Sequence, residues 1–372
     1  MNKKVLVMVS PFSAARVAGV ARYAREHDWH LMIQDRLGHR PLAWNGDGII
    51  ATLRSDTQTV STICQMMRHK IPVVDLAISR PDIHVPRVVS DHASIGRLAA
   101  QHFMDRNFRN IVWFSMSWGN VHALRYAGLS ETVRAEKWVA DEALPKNRRN
   151  DWNAFMNWIA AKLANAPKPL AALAYDETDA SRLLDAAERT GVSVPEELAI
   201  LSVGNDSIIC ENQSVPLSSI DQNLETGGYE AAALLGRLMN GERPPGNPIL
   251  VPPGDICLRR STDVIASHDQ DVRRALDYIA DHIAAPLGAA QIANALGISR
   301  NVLDKRFHAD LGRSIGSEIK RQRMAKVKLL LRNSNAPAAE IARQTGFCSA
   351  SHLANAFRSA TGLTPRAWRQ AP

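Results

Sequence analysis

From the N-terminus to about residue 267 the chain alternates short apolar runs with amphipathic stretches. Val5–Val9, Leu31–Ile33, Gly48–Leu53, Ile71–Leu76, Ile111–Ser115, Leu170–Tyr175, Leu198–Val203 and Ile249–Val251 each read as a strand. Between them, Arg16–Glu26, Thr57–His69, Ser94–Met104, Ala180–Arg189 and Glu225–Met239 carry helical periodicity, and a Trp-rich stretch after Ser115 is also helical in pattern. Strands that are apolar throughout, separated by helices, predict a parallel sheet covered on both faces. Two such sets in some 260 residues suit a two-lobed α/β binding protein, with a ligand held at the carboxyl ends of the strands between the lobes. Pro244-Pro245, Pro248 and Pro252-Pro253-Gly254 punctuate the end of this body, and from about Asp271 the pattern is helical to the C-terminus. The expected domains are 1–264 and 265–372.

The helical segment repeats itself. Ile292-Ala293, Gly297, Ser299, Leu303 and Phe307 recur as Ile341-Ala342, Gly346, Ser349, Leu353 and Phe357, with 49 residues between the glycines and 50 between the phenylalanines. Two helices that meet at a sharp angle need a small residue where they touch, which Ala293 and Ala342 supply. Their tight turn needs a residue that tolerates φ > 0, supplied by Gly297 and Gly346. Ser299 and Ser349 suit the N-cap of the second helix, and the Leu/Phe pair four apart anchors it. The other face is left free to enter a DNA major groove.

An ordinary helical-hairpin repeat would share the Ala, Gly and Leu but show no charge bias. Here Ser299, Arg300, Asn301, Asp304, Lys305 and His308 fall on the free face of the first copy, with Asn301, Lys305 and His308 on one stripe. Lys and Arg reach guanine edges and Asn reaches adenine. The second copy offers Ala350, Ser351, Asn355 and Arg358, a blander set expected to contribute more positioning than readout. Ile315–Arg332 reads as one connecting helix, with Lys320, Arg321, Arg323, Lys326 and Lys328 along it.

Charge sharpens this division. The 372 residues carry a net charge of +8; residues 1–267 hold 29 Lys and Arg against 29 Asp and Glu, and residues 268–372 hold 16 against 8. A neutral body with a basic end points to a polyanionic partner. Four scattered cysteines with no CxxC pair argue against disulfides or zinc, and no metal or cofactor is expected. Lys3-Lys4 before Val5–Val9 superficially resembles a signal peptide, but the apolar run is too short, and no window holds the ~18 apolar residues of a membrane span. A cytoplasmic protein is expected. An enzyme would need a Gly-rich phosphate turn after a strand, a P-loop or a nucleophile elbow, and none is present: Gly227-Gly228 lies inside a helical pattern, and the 12 His form no HExxH.

On Ile292–Phe307 with Gly312-Arg313-Ser314-Ile315, and Ile341–Phe357 with Gly362–Arg369, residues from about 268 resemble the AraC/XylS-type DNA-binding domain: two helix-turn-helix units and a linker helix. The first 267 residues resemble the LacI/GalR-type sensing core, itself periplasmic-binding-protein-like. The matches are Asp47–Ile50, Asp91 with Gly96, Arg125–Gly128, Gly191–Glu196, Pro216–Ile220 and Gly228–Ala232. The order of the two parts resembles xylose-operon-activator-like regulators. The resemblance implies a two-lobed core with parallel sheets followed by an all-α domain, and a DNA-binding regulator controlled by a small sugar, with a pentose such as xylose among the candidates. It also implies RNA polymerase and a second copy of the chain as partners. Carried over onto matching positions, it implies ligand contacts at Asp91, Arg125, Asp176, Gln222 and, in the Gly204-Asn205-Asp206 turn, at Asn205 or Asp206. A carboxylate beside a guanidinium fork suits vicinal hydroxyls. Trp113, Trp118 and Tyr126 are candidates to stack on a sugar ring. The departure from the family's usual Gly-x-Asp-Asp/Asn turn leaves open an alternative: a DNA-binding regulator or scaffold whose N-terminal domain binds no sugar.

Overall fold

The computed structural model describes residues 3–34, 45–54 and 57–370. By contacts the chain divides into two compact units, one of residues 1–105 and 110–263, the other of residues 106–109 and 264–372.

The first unit has two lobes. The first lobe begins β1 (Lys4–Met8), α1 (Ala14–Glu26), β2 (His30–Gln34), β3 (Gly48–Ala51), α2 (Thr57–Arg68), β4 (Val73–Asp75) and β5 (Val88–Ser90). The chain then enters the second lobe through α3 (His92–Asp105), β6 (Asn110–Ser115), α4 (Asn120–Ser130), β7 (Ala135–Val139), α5 (Ala140–Ala143), α6 (Trp152–Asn165), β8 (Leu170–Ala174), α7 (Glu177–Thr190), β9 (Leu198–Val203), α8 (Ser207–Glu211) and β10 (Ser218–Ile220). It returns to the first lobe for α9 (Leu224–Met239) and β11 (Ile249–Val251), and closes the second with β12 (Ile256–Cys257). The first-lobe sheet runs β2-β1-β3-β4, all parallel, with Leu6 opposite Ile49 and Val7 opposite Ile50. The second-lobe sheet runs β12-β10-β9-β8-β6-β7, parallel except where β12 meets β10. Central strands such as β8 and β9 are buried at every residue, which is why they are apolar without alternation.

The three crossings between lobes lie together. β5 pairs with β11, Asp91 N–H donates to Val251 O at 2.8 Å, and Gly254 N–H donates to Asp221 O at 3.0 Å.

In each lobe one helix pair packs through glycines. A Cβ at Gly19 would sit 1.9 Å from Glu225 O, and one at Gly228 2.0 Å from Arg16 O, so α1 and α9 touch backbone to backbone. In the second lobe Gly96 and Gly128 do the same for α3 and α4, at 2.1 Å from Arg125 O and 2.0 Å from Ala93 O. The Gly96, Gly128 and Gly228 matches noted in the sequence are thus packing requirements of the fold.

Strand β10 escapes a hydropathy reading because its buried face is polar. Ser218 and Ser219 are fully buried yet satisfied: Ser218 Oγ donates to Arg259 O at 2.9 Å and Ser219 Oγ to Glu177 Oε1 at 2.9 Å. β5 and the edge strand β7 also carry too few apolar residues to stand out.

The second unit comprises α10 (Gln270–Asp281), α11 (Ala289–Leu296), α12 (Arg300–Leu311), α13 (Ile315–Asn333), α14 (Ala338–Gln344), α15 (Ala350–Thr361) and α16 (Pro365–Gln370). It has two cores that share α13. Ile315 and Ile319 join Ile292, Leu303 and Phe307, while Val327 and Leu331 join Ile341, Leu353 and Phe357. The 19 residues of α13 span about 28 Å.

Candidate ligand cleft and nucleic-acid interface

The loops after β1, β3, β6 and β8 all leave the carboxyl ends of parallel strands, where a sheet presents open backbone groups to a ligand. From the second lobe, α4 brings in Arg125, which is 3% exposed. Its Nη1 donates to Tyr175 O at 2.5 Å, its Nη2 to Gln222 Oε1 at 3.0 Å and its Nε to His92 Nδ1 at 3.4 Å. The guanidinium also lies 5.0 Å from the centre of the Tyr175 ring, on which His122 stacks at 4.0 Å.

Burial pushes the Arg125 pKa down to about 10, so it stays charged at neutral pH. Burial, reinforced by the positive charge of Arg125, pushes His92 down to about 3 and His122 to about 4, so both rings are neutral there. From the first lobe come Arg16 in the first turn of α1 and Arg54 after β3. Burial lowers the Arg16 pKa and the charge of Arg54 acts in the same direction, and His122 also feels Arg54. Asn120 Nδ2, donating to Ile78 O at 3.3 Å, bridges the lobes directly.

Of the ligand contacts expected from sequence, Arg125 and Gln222 meet here. Asp176 stands next to them: it caps α7 by accepting from Asp179 N–H at 2.8 Å, and its charge reaches Arg125. The other three make hydrogen bonds within the protein. Asp91 spends both carboxylate oxygens on Ser94, accepting from N–H at 2.9 Å and Oγ–H at 2.6 Å to cap α3. Asp206 is exposed and caps α8. Asn205 Oδ1 accepts two bonds from Arg259 at 3.2 Å, and its N–H donates to the buried Glu177 at 2.5 Å. A helix N-cap and a ligand carboxylate ask for the same residue type in the same post-strand position, so spacing alone does not separate them. Trp113 is fully buried, and Tyr126 donates its hydroxyl to Ala135 O at 3.0 Å. The aromatic rings at the cleft are instead Tyr175 and His122, which sequence reasoning missed together with His92 and Arg16. Position after a strand was the signal that could have found them.

In the second unit, Gly297 (φ 69°) and Gly346 (φ 72°) adopt the left-handed conformation the turns require. Ser299 caps α12 by accepting from Val302 N–H at 3.4 Å, and Ser349 caps α15 by accepting from His352 N–H at 3.0 Å. Leu303, Phe307, Leu353 and Phe357 are fully buried. On the opposite face Arg300, Asn301, Lys305 and His308 are exposed, and Asp304 is half-buried in a 3.5 Å pair with Arg300. On α15, Ser351, Asn355 and Arg358 are exposed and Ala350 is half-buried; His352, not singled out from sequence, joins them with its Nδ1 3.0 Å from Cys348 Sγ.

The basic run on α13 divides. Arg321 pairs at 2.8 Å with Glu318, which is completely buried. Burial pulls that carboxyl up, but Arg321 and Arg313 outweigh it and hold its pKa below the usual range. Arg323 donates to Ile283 O at 3.2 Å and Ala285 O at 2.7 Å, and Lys328 sits 5.2 Å from the Trp368 ring. Lys320 and Lys326 remain exposed.

Residues 100–262 match the periplasmic binding protein-like domain and residues 292–371 a helix-turn-helix domain. The xylose operon regulatory protein of Escherichia coli strain K12 is 28% identical over 95% of this chain and 92% of its own length. The multiple antibiotic resistance protein MarA of Salmonella typhimurium is 30% identical over 30% of this chain and 84% of its own. The chain is similar to the xylose operon regulators, joining a periplasmic-binding-protein-like domain to a helix-turn-helix domain. A solved structure of this group, that of the xylose-binding transcription activator XylR, matches 100% of this chain and 98% of its own with a TM-score of 0.64 at 25% identity. By these matches the first unit holds the periplasmic-binding-protein-like domain, and the second is the AraC-type helix-turn-helix domain.

Proposed function

We propose that the chain is a transcriptional regulator that docks α12 and α15 in major grooves of duplex DNA and is controlled by a small sugar held between the lobes of its first unit. The observation that carries this reading is the two-sided character of α12: Leu303 and Phe307 are buried while Asn301, Lys305 and His308 lie exposed on one stripe. Effector control requires that the ligand bind the DNA-competent and incompetent states with different affinity. The xylose operon regulatory proteins among its relatives support a pentose such as xylose as a candidate effector. We further read it as a non-enzymatic, cytoplasmic, homodimeric protein that works with RNA polymerase; the relatives' names support the regulatory part of this reading.

The test is fluorescence anisotropy of the full chain on promoter fragments from its own gene neighbourhood, at two salt concentrations. Steep salt dependence is expected from phosphate contacts, and Lys305→Ala is expected to weaken specific binding by ~1–3 kcal/mol. Unchanged binding by that variant, with an equal effect from a surface lysine far from α12, would refute the assignment. A second reading, a regulator whose first unit binds no sugar, draws support from the diversion of Asp91, Asn205 and Asp206 into the protein's own hydrogen bonds.

A further inference from the structure

The guanidinium of Arg16 makes no hydrogen bond or ion pair with any described residue, although it is half-buried in the first turn of α1 at the carboxyl edge of the first-lobe sheet. It stands near Arg54 and Tyr175, and Tyr175 in turn carries Arg125. The carboxylates at this edge hydrogen-bond to other groups, although the charge of Asp75 still reaches Arg16. Asp75, fully buried, accepts from Leu53 and Ala77 N–H at 2.9 Å each and pairs with Arg87 at 3.2 Å. Asp91 accepts from Ser94, and the carboxylates whose charges reach Arg125 are Asp176 and Glu177. Both histidines at the edge are neutral and bring no compensating charge.

Two further polar atoms support a ligand here. Thr52 Oγ1, in a residue 6% exposed and directly after β3, has no hydrogen-bond partner, and neither has the buried His122 Nδ1. The N-terminus of α4 begins on this edge with Gly119, which offers no side-chain cap. A neutral sugar offers the unpartnered Arg16 guanidinium no counter-charge, and a half-buried guanidinium gains most from an anion that accepts two hydrogen bonds at once.

We propose that the interlobe cleft takes an anionic sugar, a polyol bearing a carboxylate or a phosphate, with Arg16 and Arg125 receiving the negative group and Thr52 a hydroxyl. This rests on the sugar-effector reading above and narrows it.

The test is calorimetric titration and thermal shift of the full-length protein with matched pairs: D-xylose and D-xylonate, D-galactose and D-galacturonate, D-glucose and D-glucose 6-phosphate, with inorganic phosphate alone as control. At least tenfold tighter binding of an acidic member than of its neutral partner is expected, and whether the acid is a carboxylate or a phosphate names the source of the charge. Arg16→Gln should weaken that binding roughly 10- to 150-fold, the range for losing a hydrogen bond to a charged group, and Arg16→Lys less. A neutral sugar that binds as tightly as its acidic counterpart overturns the inference and leaves the sugar-effector reading standing. No response to any sugar overturns both. An equal response to inorganic phosphate that survives in Arg16→Gln overturns the inference as well. The comparison of acid with neutral sugar is made on the unaltered chain, so it holds even if a variant fails to fold.

Discussion

Gly227 and Gly228 are neighbours in α9, yet alanine at the two positions should act in opposite directions. A Cβ at Gly228 would lie 2.0 Å from Arg16 O, 2.9 Å from Arg16 C and 3.2 Å from Arg16 Cα. All three are backbone atoms, so no rotamer change clears the clash. Reaching the 3.4 Å of ordinary contact requires α1 and α9 to separate by about 1.4 Å. That movement loosens Val17 and Val20 from Ala231, Ala232 and Leu235, and a forced shift of this kind in a packed core costs about 2–3 kcal/mol. At Gly227 the nearest atom to a new Cβ is Val251 Cγ2 at 3.9 Å, an ordinary van der Waals contact. There alanine brings only its helix propensity, a gain of about 1 kcal/mol. The two variants should therefore differ by roughly 3–4 kcal/mol, one below and one above the unaltered protein. Urea denaturation followed by tryptophan fluorescence reads this directly, because seven of the eight tryptophans lie in the first 263 residues. Following the first unit alone matters, since two units need not unfold together. A Gly228→Ala protein as stable as the parent, or equal shifts for both variants, would refute the backbone-contact reasoning.

Two further outcomes follow from the same contacts. His92 is held neutral, down to about 3, by burial and by Arg125, so as pH falls from 7 to 5 the unfolded chain takes up a proton that the folded one refuses. Stability is lost over that window, about 2 kcal/mol from this residue. Asp75 and Asp179, raised to about 6 chiefly by burial, act oppositely, since the folded chain gains their protons below pH 6. The clean measurement is thus the difference between the parent and His92→Asn at pH 7 and pH 5, and a difference that does not change with pH would count against it. Arg323→Ala should destabilise the second unit by ~1.5–3 kcal/mol, because the Ile283 and Ala285 carbonyls lose a charged donor, while leaving the salt slope of DNA binding unchanged. Unaltered stability in circular dichroism, with a slope shallower by about 1, would return Arg323 to the DNA-contacting surface.

Apolar strands and the repeated turn were readable from the chain because burial on both faces and a φ > 0 turn each demand a narrow set of residues. Val5–Val9, Leu170–Tyr175 and Leu198–Val203 therefore announced their strands, and Gly297 and Gly346 their turns. Strand β10 was hidden because its serines are satisfied by partners distant in sequence, such as Arg259 and Glu177. The recognition face was legible for a related reason: Leu303 and Phe307 set the inward side, and what remains must face out. The cleft was only half legible. Arg125 and Gln222 meet at 3.0 Å, Asp91 and Asp206 cap helices, and nothing in the local pattern of α1 distinguishes Arg16 from a solvated helix residue. Likewise the basic residues of α13 look alike along the chain, and only tertiary contacts separate Arg321 and Arg323 from Lys320 and Lys326.

Selection of binding sites from a pool of randomised duplex DNA tests the regulator reading most directly. The unaltered chain should enrich a bipartite motif whose two blocks lie about one helical turn apart, ~10 base pairs. Asn301→Ala and Lys305→Ala should lose base preference in one block while retaining the other. An unenriched pool, or the same two blocks returned by all three proteins, would contradict the assignment of α12 as a DNA-reading helix.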